Sequence, residues 1–264
     1  MLALGDLTAS LLDPSRAAVT TVVAREPGVL AGRLCVLETF RQVDPAVDVD
    51  WQAPDGTAVE AGSVVGEVRG PLASILTAER TALNFLCHLS GVATATRRVV
   101  DAVGAANPST RVVDTRKTLP GLRALQKAAV RAGGGANHRA SLSDGVLLKD
   151  NHLAVMAIRE AVARARAAFP MRTVEVECDE EGQAMEAAEA GADVIMLDNM
   201  APEAVARTVG ALREAGFGGL VEVSGRLDEA SAAAFAAAGA DLVSLGALTH
   251  SARAMDLALD FGRA

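Results

Sequence analysis

The chain has 264 residues, half of them hydrophobic, and a net charge of −8 at neutral pH. This length is enough for one large domain or for a barrel with a smaller domain attached. Tyrosine is absent and aromatic residues make up 3% of the chain, so few side chains could stack on bases. Together with the negative net charge, this excludes nucleic acid as a partner. No apolar run approaches the ~18 residues that span a bilayer, which excludes a membrane partner.

The first residues and the cysteines bear on cellular location. The opening segment MLALGDLTASLL has no basic stretch, so we expect no signal peptide. Cys35, Cys87 and Cys178 are odd in number and widely spaced, which is typical neither of a disulfide framework nor of a metal site. We therefore expect a cytoplasmic protein, with Cys178 as a buried structural thiol.

The charge is concentrated in one part of the chain. Residues 79–150 carry 11 basic and 5 acidic side chains, whereas the segments on either side are acidic. A solvated helix face accounts for some of this block, and we assign Arg97, Arg98, Arg123 and Lys127 to it. The rest of the block indicates a binding site for an anion.

Residues 1–70 read as β-rich, because apolar and polar residues alternate between Gly and Asp-Gly turns. The run VDVDWQAPDGTAVEAGSVVGEVRG resembles half of a biotinyl or lipoyl module, but residues 1–78 contain no lysine to carry such a cofactor. From about residue 72 to residue 103 apolar residues recur at intervals of three and four, which predicts a long helix. We expect this helix to link two domains.

From Arg111 onward, short apolar runs alternate with Ala-rich amphipathic stretches. Each run ends in polar residues, as in RVVDT, GVLLKD, VEVE, DVIMLDN, LVEVSG and DLVSLG, and the junction AGAD occurs twice. Strand–helix alternation of this kind predicts a parallel sheet. The spacing favours a (β/α) barrel over an open doubly wound sheet, which remains an alternative although no GxGxxG motif opens any of these helices.

Cations lie at the ends of the first predicted strands. Because the carboxyl ends of parallel barrel strands meet at one mouth, these side chains are expected to lie together. Arginine grips a carboxylate or phosphate with two parallel hydrogen bonds, and lysine acts as a point charge. A surface salt bridge, which contributes ~0–1 kcal/mol to stability, explains one such residue. It does not explain five at strand ends: Arg116, Lys117, His138, Arg139 and Lys149.

Acids follow on the middle strands. Glu177, Asp198 and Glu222 lie at or near strand ends, where carboxylates beside an anion hold Mg2+ or stabilise a developing cation. Glu175 is two residues from Glu177, so both share a sheet face, and in a barrel that face is the lumen. A charge there needs a partner.

Small residues end the last two strands. Ser224 and Gly225 close one, and Gly246 follows the other in the segment LGALTHS. A small residue before a helix start leaves main-chain N–H groups free for a phosphate. Barrels commonly place a phosphate site in these last two loops.

These residues, read together, resemble quinolinate phosphoribosyltransferase, the carboxylating nicotinate-nucleotide pyrophosphorylase family. The resemblance covers roughly residues 5–262. It is carried by TRKT, GGGANHR and KDNH in this order, within the segments LTAERTALNFLCHLSGVAT (76–94), DTRKTLPGLR (114–123), RAGGGANHRASLSDGVLLKDNH (131–152), VEVE (174–177), VIMLDN (194–199) and LGALTHS (245–251).

The resemblance implies an α/β fold made of an incomplete parallel α/β barrel and an N-terminal α/β sandwich domain. We place the sandwich domain with its linking helix at 1–103 and the barrel at 104–252. Residues 253–264 are expected to form a C-terminal helix that packs back on the N-terminal domain. The family forms homodimers in which each barrel mouth is completed by the neighbouring subunit.

The resemblance also implies an activity and roles for residues. The family transfers phosphoribose from phosphoribosyl pyrophosphate (PRPP), with Mg2+, to the ring nitrogen of quinolinate. The 2-carboxylate is lost, and nicotinate mononucleotide, pyrophosphate and CO2 form in de novo NAD synthesis. Arg80 of the partner subunit, Arg116, His138, Arg139 and Lys149 resemble the quinolinate-binding residues. Those near PRPP and Mg2+ are Lys117, Lys149, Glu177, Asp198, Ser224, Gly225 and Gly246, of which Lys149, Glu177 and Asp198 are the catalytic candidates and Glu177 and Asp198 the metal ligands.

Two departures from the family pattern affect activity rather than reaction class. Arg226 stands where the family usually has a second glycine after Ser-Gly; it costs strain if φ is positive there, or it adds a contact to the 5′-phosphate. Ser141 also replaces a usual glycine.

Three alternatives remain open: another pyridine acid as acceptor, a Schiff-base aldolase using Lys149 or Lys117, and a non-catalytic paralogue. An aromatic nitrogen needs no general base, so His138 is assigned to binding.

Overall fold

A computed structural model describes residues 5–261, and the chain divides into two compact units. The first unit comprises Met1–Arg97, Leu125–Gly134 and Ala252–Ala264, and the second comprises Arg98–Ala124 and Gly135–Ser251. The division therefore falls inside the linking helix, a few residues before the boundary at 103/104 given by the sequence. A segment of the expected barrel region, Leu125–Gly134, also belongs to the first unit.

The first unit is built on an antiparallel sheet. Its four strands have the order β12-β1-β5-β3, and β2 and β4 form a separate two-stranded ladder. Two helices of this unit, α1 and α2, supply Phe40, Ile75 and Leu86 to a core shared with the sheet residues Val22 and Val68. The element bounds are a 3-10 helix at Ala9–Leu11, β1 (Ala17–Ala24), β2 (Gly28–Val29), α1 (Arg33–Val43), β3 (Asp48–Trp51), β4 (Ala58–Val59), β5 (Val64–Pro71), α2 (Leu72–Ala106) and β12 (Leu257–Phe261).

The C-terminal segment is a strand, so the predicted helix over residues 253–264 is wrong. Leu257–Phe261 pairs antiparallel with β1, with Leu257 opposite Ala24 and Phe261 opposite Thr20. Leucine and alanine favour helix in isolation, but a run this short does not nucleate one. Edge hydrogen bonds of β1 and burial of Leu257 and Leu259 decide for strand. Residues 262–264 lie outside the described part of the chain.

The second unit is a parallel sheet with helices between its strands. Its six strands have the order β6-β11-β10-β9-β8-β7. The strands are β6 (Arg111–Val113), β7 (Val146–Leu148), β8 (Val174–Cys178), β9 (Val194–Asp198), β10 (Leu220–Ser224) and β11 (Leu242–Ser244). The remaining helices of the chain are α3 (Arg123–Ala132), α4 (Asp150–Leu153), α5 (Ile158–Ala168), α6 (Glu181–Glu189), α7 (Pro202–Glu214), α8 (Glu229–Ala237) and α9 (Ala247–His250).

The strand order is that of an incomplete barrel, which confirms the expected fold class. The first strand of this unit along the chain, β6, pairs with its last strand, β11, as barrel closure requires and an open doubly wound order does not. In the described residues the sheet is open between β6 and β7, where a single bridge joins Val113 to Ala136. No described helix is both long enough and apolar enough to cross a bilayer.

The register of the parallel strands sets which side chains share the lumen. Glu177 lies opposite Met196 on β9, and Met196 lies opposite Glu222 on β10. Asp198 lies opposite Ser224, one layer nearer the carboxyl ends. Because side chains alternate between faces, the lumen of this barrel carries carboxylates where a packed barrel carries aliphatic residues.

Candidate active site

A cavity of about 300 Å3 opens at the carboxyl ends of the barrel strands. It brings together all five cations that the sequence placed at strand ends, and Glu222 and Ser224 also contribute to its wall. Arg80 lies on α2 in the other unit, with 74% of its side chain exposed. The lining residues are Thr115, Arg116, Lys117, His138, Arg139, Leu147, Lys149, Met196, Glu222, Ser224 and Ser244.

Asp114 fixes the loop that carries His138 and Arg139. Its side chain is fully buried at the end of β6. One carboxylate oxygen accepts the main-chain N–H of His138 at 3.0 Å, and the other accepts the side-chain amide of Asn137 at 2.5 Å. A carboxylate held by such donors is a strong local anchor. The two cationic loops are thereby tied together at one strand end.

Arg123 performs a similar function from the start of α3, and its assignment to a solvated face is wrong. Its guanidinium donates to the carbonyl oxygens of Arg116 at 3.3 Å and Ala140 at 3.1 Å, and to the Thr118 hydroxyl at 3.1 Å. Of the four residues assigned to that face, Lys127 is only 3% exposed, Arg97 is half-buried and Arg98 alone is exposed. Helix periodicity does not reveal which cations brace loops.

Lys149 and Glu177 form an ion pair across β7 and β8. Glu177 is largely buried, whereas almost half of the Lys149 side chain is exposed. Asp198 ends β9, where its carboxylate accepts the side-chain amide of Asn199 at 2.5 Å. The two acids therefore lie on neighbouring strands of the same lumen, as the sequence predicted, with Lys149 beside the first of them.

His138 is held between two buried acids. Its Nε2 lies 3.0 Å from a carboxylate oxygen of Glu175 and 3.4 Å from one of Glu222, and Glu222 is fully buried. Burial alone lowers the pKa of His138, but hydrogen bonds and charge from both glutamates outweigh it and raise the pKa to about 10. Burial raises the pKa of Glu175, against the opposing influence of His138.

Gly225 occupies a position where a residue with a side chain would not fit. Its φ is +142°, and a Cβ there would lie 3.0 Å from the side-chain oxygen of Asn199. Asn199, at φ 55°, is the described non-glycine residue with positive φ. Arg226 is therefore outside that region, so the strain considered for it does not arise; its side chain is exposed. The nearby helix α8 is capped by the side chain of Asp228, which accepts the main-chain N–H of Ser231.

Gly246 makes room for Lys117. A Cβ on Gly246 would lie 3.0 Å from the Lys117 side chain and 3.2 Å from the His250 ring. The Thr249 hydroxyl donates to the Lys117 carbonyl oxygen at 2.8 Å. The loop after β6 is thus bonded to helix α9 after β11, and the aliphatic part of the Lys117 side chain lies next to Gly246.

Models of two protein-domain families match nearly the whole chain. The model of the quinolinate phosphoribosyl transferase C-terminal domain matches residues 92–260, and that of the N-terminal domain matches residues 6–90. The chain belongs to the quinolinate phosphoribosyltransferase family.

Individual relatives of this family match nearly the whole chain. A probable carboxylating nicotinate-nucleotide pyrophosphorylase of Bacillus subtilis is 42% identical over 97% of this chain and 88% of its own length. A carboxylating nicotinate-nucleotide pyrophosphorylase of Mycobacterium leprae is 43% identical over 97% and 90%. The solved nicotinate-nucleotide pyrophosphorylase of Francisella tularensis superposes with a TM-score of 0.92, at 39% identity over 98% and 91% of the two chains.

Helix and strand periodicity does not show which residues hold the cationic loops of this phosphoribosyltransferase site. Asp114, Arg123 and Thr249 bond to main-chain atoms of His138, Arg116 and Lys117 respectively. Asp114 lies at a predicted strand end, but its role as an anchor required the structure. Glu175 was predicted to face the lumen, where a charge needs a partner, and Glu222 was predicted only as an acid near a strand end. Only the fold shows that His138 lies close to both of them. Cys178 is fully buried, and burial raises its pKa to about 12, which confirms a structural thiol.

Proposed function

We infer that this chain transfers phosphoribose from PRPP to the ring nitrogen of quinolinate and releases the 2-carboxylate as CO2, giving nicotinate mononucleotide and pyrophosphate. The observation that carries the inference is the strand-end cavity with five cations, one of which is paired with Glu177 while Asp198 ends the adjacent strand, in a chain of this family. Cations suit two multiply anionic substrates, and carboxylates suit a cationic transition state.

The residues divide by the charge that each substrate presents. Arg116, His138, Arg139 and Lys149 all line the cavity and match the two carboxylates of quinolinate. Lys117, beside Gly246, matches the pyrophosphate of PRPP. The Ser224–Gly225 backbone matches the 5′-phosphate, which leaves the ribose near Glu177 and Asp198.

The chemistry needs electrostatic stabilisation more than proton transfer. Breaking the bond to pyrophosphate leaves an oxocarbenium-like ribose, which the carboxylates of Glu177 and Asp198 stabilise. Lys149, paired with Glu177, places positive charge next to the departing phosphate. Once ribosylated, the ring nitrogen is cationic and stabilises the electron pair that stays on C2 when the C2–carboxylate bond breaks; C2 then takes up a proton from solvent. Ribosyl transfer therefore precedes decarboxylation.

Mg2+ enters this proposal with PRPP. The ion prefers one or two carboxylates together with substrate phosphate oxygens, and Glu177 and Asp198 supply such a pair on adjacent strands. When bound, Mg2+ neutralises charge on the pyrophosphate leaving group. We expect chelation of Mg2+ to abolish pyrophosphate release, and excess Mg2+ to restore it.

A homodimer with shared sites is part of the proposal. Arg80 is exposed on α2, next to a groove of about 740 Å3 between α1 and α2 that includes Leu34, Leu37, Val43 and Phe85. Leu34 is 72% exposed. Apolar side chains of this kind favour a protein partner, and Arg80 beside them suits delivery to the barrel of the partner subunit.

The decisive experiment is an assay with PRPP, Mg2+ and quinolinate, with pyrophosphate and CO2 measured together. Equal amounts of both products are expected. Pyrophosphate without CO2 would show that PRPP is cleaved without decarboxylation of quinolinate, and competition between quinolinate and nicotinate then tests whether another pyridine acid is the acceptor. Neither product, with PRPP binding absent, would favour the non-catalytic alternative.

A Schiff-base aldolase fits the site poorly. Such a lysine must lose its proton in an apolar pocket, whereas Lys149 is paired with Glu177 and Lys117 is exposed among other cations. Borohydride reduction with a carbonyl substrate is expected to leave both lysines unmodified. We also propose a cytoplasmic location, which agrees with three free cysteines in a reducing compartment.

A further inference from the structure

Two apolar side chains interrupt the charged wall of the cavity. Leu147 comes from β7 and Met196 from β9, and the rest of the described lining is polar or charged. Both side chains are buried, with relative exposures of 9% and 5%. None of the described lining residues is aromatic, so among them no side chain offers a ring on which an aromatic ligand could stack.

The register of the parallel sheet brings both side chains to the lumen. Leu147 lies opposite Glu175 of β8. Met196 lies opposite Glu177 of the same strand, two residues nearer its carboxyl end. Because side chains alternate between the faces of a sheet, Leu147 and Met196 share the lumen face on the two sides of β8. They form an apolar strip across the wall made by β7, β8 and β9.

Charge alone does not explain the recognition of an aromatic acid. The cations of the cavity suit any compact dicarboxylate, and an open-chain dicarboxylate presents the same two charges as a pyridine dicarboxylate. Cavities for small molecules usually hold a ring by apolar contacts and orient it through a few polar groups. In the described lining of this cavity, Leu147 and Met196 are the side chains that can make such apolar contacts.

A cation stacked on the ring would oppose the proposed reaction. The ring nitrogen becomes positively charged when it takes up the ribose, and a guanidinium over the ring face would repel that charge. A thioether is neutral and polarisable, and it makes favourable contacts with aromatic rings. The guanidinium of Arg139 is in addition held by the main-chain carbonyl oxygen of Gly145, to which it donates at 3.0 Å.

We propose that Met196 and Leu147 form the contact surface for the ring of the acceptor and make the site selective for aromatic over open-chain dicarboxylates. The proposal rests on the proposed function for the identity of the acceptor. Different residues then recognise the two properties of the acid: the cations bind its carboxylates, and the apolar strip packs against its ring.

The test compares three dianions at pH 8 by calorimetry, on wild type and on Met196→Gln. Quinolinate carries two carboxylates on adjacent ring carbons, benzene-1,2-dicarboxylate keeps the ring without the nitrogen, and maleate holds two carboxylates cis on a double bond without a ring. We expect wild type to bind both ring acids roughly tenfold more tightly than maleate, because the ring buries apolar area. M196Q should lose roughly five- to tenfold in affinity for both ring acids, whereas its affinity for maleate should not change.

Three further variants separate ring contact from a general structural effect. Leu147→Asn should reproduce the pattern of M196Q. Met196→Leu keeps an apolar side chain of similar volume, so it should bind the ring acids far more tightly than M196Q does. Met171→Gln makes the same chemical change at a side chain that is 93% exposed, and it should alter none of the affinities.

Steady-state kinetics give an independent readout of the same contact. M196Q should raise KM for quinolinate and leave KM for PRPP unaltered, because the ring is part of one substrate only. Equal losses for maleate and the ring acids, or ring acids bound by M196Q as tightly as by wild type, would overturn the proposal. A wild type that does not distinguish the ring acids from maleate would overturn it as well.

A measurement on the wild type keeps the proposal testable if M196Q does not fold. NMR of the methyl groups of the seven methionines, with M196L used for assignment, reports what lies against Met196. A ring packed on that methyl group shifts its proton resonance upfield, so both ring acids should produce the shift and maleate should not. A Met196 methyl group that does not respond to the ring acids contradicts the inference. If benzene-1,2-dicarboxylate behaves as expected and quinolinate does not bind, the ring contact is supported and the proposed function fails, so the two failures are distinguishable.

Discussion

At the scale of single residues, the site depends on anchors that contact loops instead of substrates. Asp114 accepts from the loop of His138, and Arg123 donates to carbonyl oxygens on both cationic loops. Each of these hydrogen bonds contributes about 0.5–3 kcal/mol to stability, with the larger values for bonds that involve a charged group. Their joint effect is to keep several like charges close together before an anion arrives, which a flexible loop would not do.

Gly225→Ala should impair PRPP binding without unfolding the chain. The new Cβ meets Asn199 at 3.0 Å, at a φ of +142° that L residues rarely adopt, which costs about 1–3 kcal/mol. We expect KM for PRPP to rise roughly tenfold or more while KM for quinolinate changes little, as measured by initial rates. Gly210→Ala, on α7 with open space around it, is the matched control; equal effects of the two changes would exclude a local role for Gly225.

At the scale of elements, close approach of one segment to another explains features that propensity does not. The long helix α2 carries two glycines in its second half, at 91 and 104. A Cβ on Gly91 would lie 2.1 Å from the carbonyl oxygen of Arg253, whereas a Cβ on Gly104 meets nothing within 4 Å. Gly91 is therefore what lets the chain before β12 lie directly on α2, and β12 then completes the sheet.

Gly91→Ala and Gly104→Ala should shift stability in opposite directions. The first overpacks a main-chain contact and costs about 1–3 kcal/mol or more. The second gains about 0.5–1 kcal/mol, because alanine favours helix over glycine. Thermal unfolding checks both, with about 2–4 °C expected for each kcal/mol in a chain of this size. A G91A protein as stable as G104A would show that the C-terminal segment does not depend on this contact.

At the scale of the whole molecule, the proposed dimer makes a quantitative prediction. Arg80→Ala and Arg116→Ala should each raise KM for quinolinate at least tenfold, since a charge-assisted hydrogen bond contributes about 1.5–3 kcal/mol. If Arg80 acts in the barrel of the partner subunit, a heterodimer of the two variants contains one intact site. Random mixing should then restore about a quarter of wild-type activity at low quinolinate.

The mixing experiment requires subunit exchange, which reversible dilution or mild denaturant provides. Co-expressed variants with different tags supply an independent preparation of the heterodimer. Wild type treated in the same way is the control for losses on handling. Activity that remains at the level of the separate variants, in a sample proven to contain heterodimer, contradicts the shared site.

The sequence alone determined the chemistry of the strand ends. In any parallel α/β sheet the carboxyl ends of the strands meet at one edge, so apolar runs that end in Asp114–Lys117, Lys149, Asp198 and Ser224 already place these groups together. The spacing of the apolar runs favoured a barrel, an inference that needed only local periodicity and the common direction of the strands. The family, and with it the incomplete barrel with an N-terminal sandwich domain, followed from the resemblance carried by the motifs TRKT, GGGANHR and KDNH.

Only the tertiary structure decided which distant residues meet. The pairing of β12 with β1 turned an expected helix into a strand, because edge hydrogen bonds from a segment more than 230 residues away outweigh local propensity. The tertiary structure likewise buries Lys127, lets Arg123 brace the two loops and brings His138 next to Glu222. Each depends on a contact between segments that are distant along the chain, and the hydrogen bonds and ion pairs involved are strengthened by the water-excluded surroundings that only the assembled core creates.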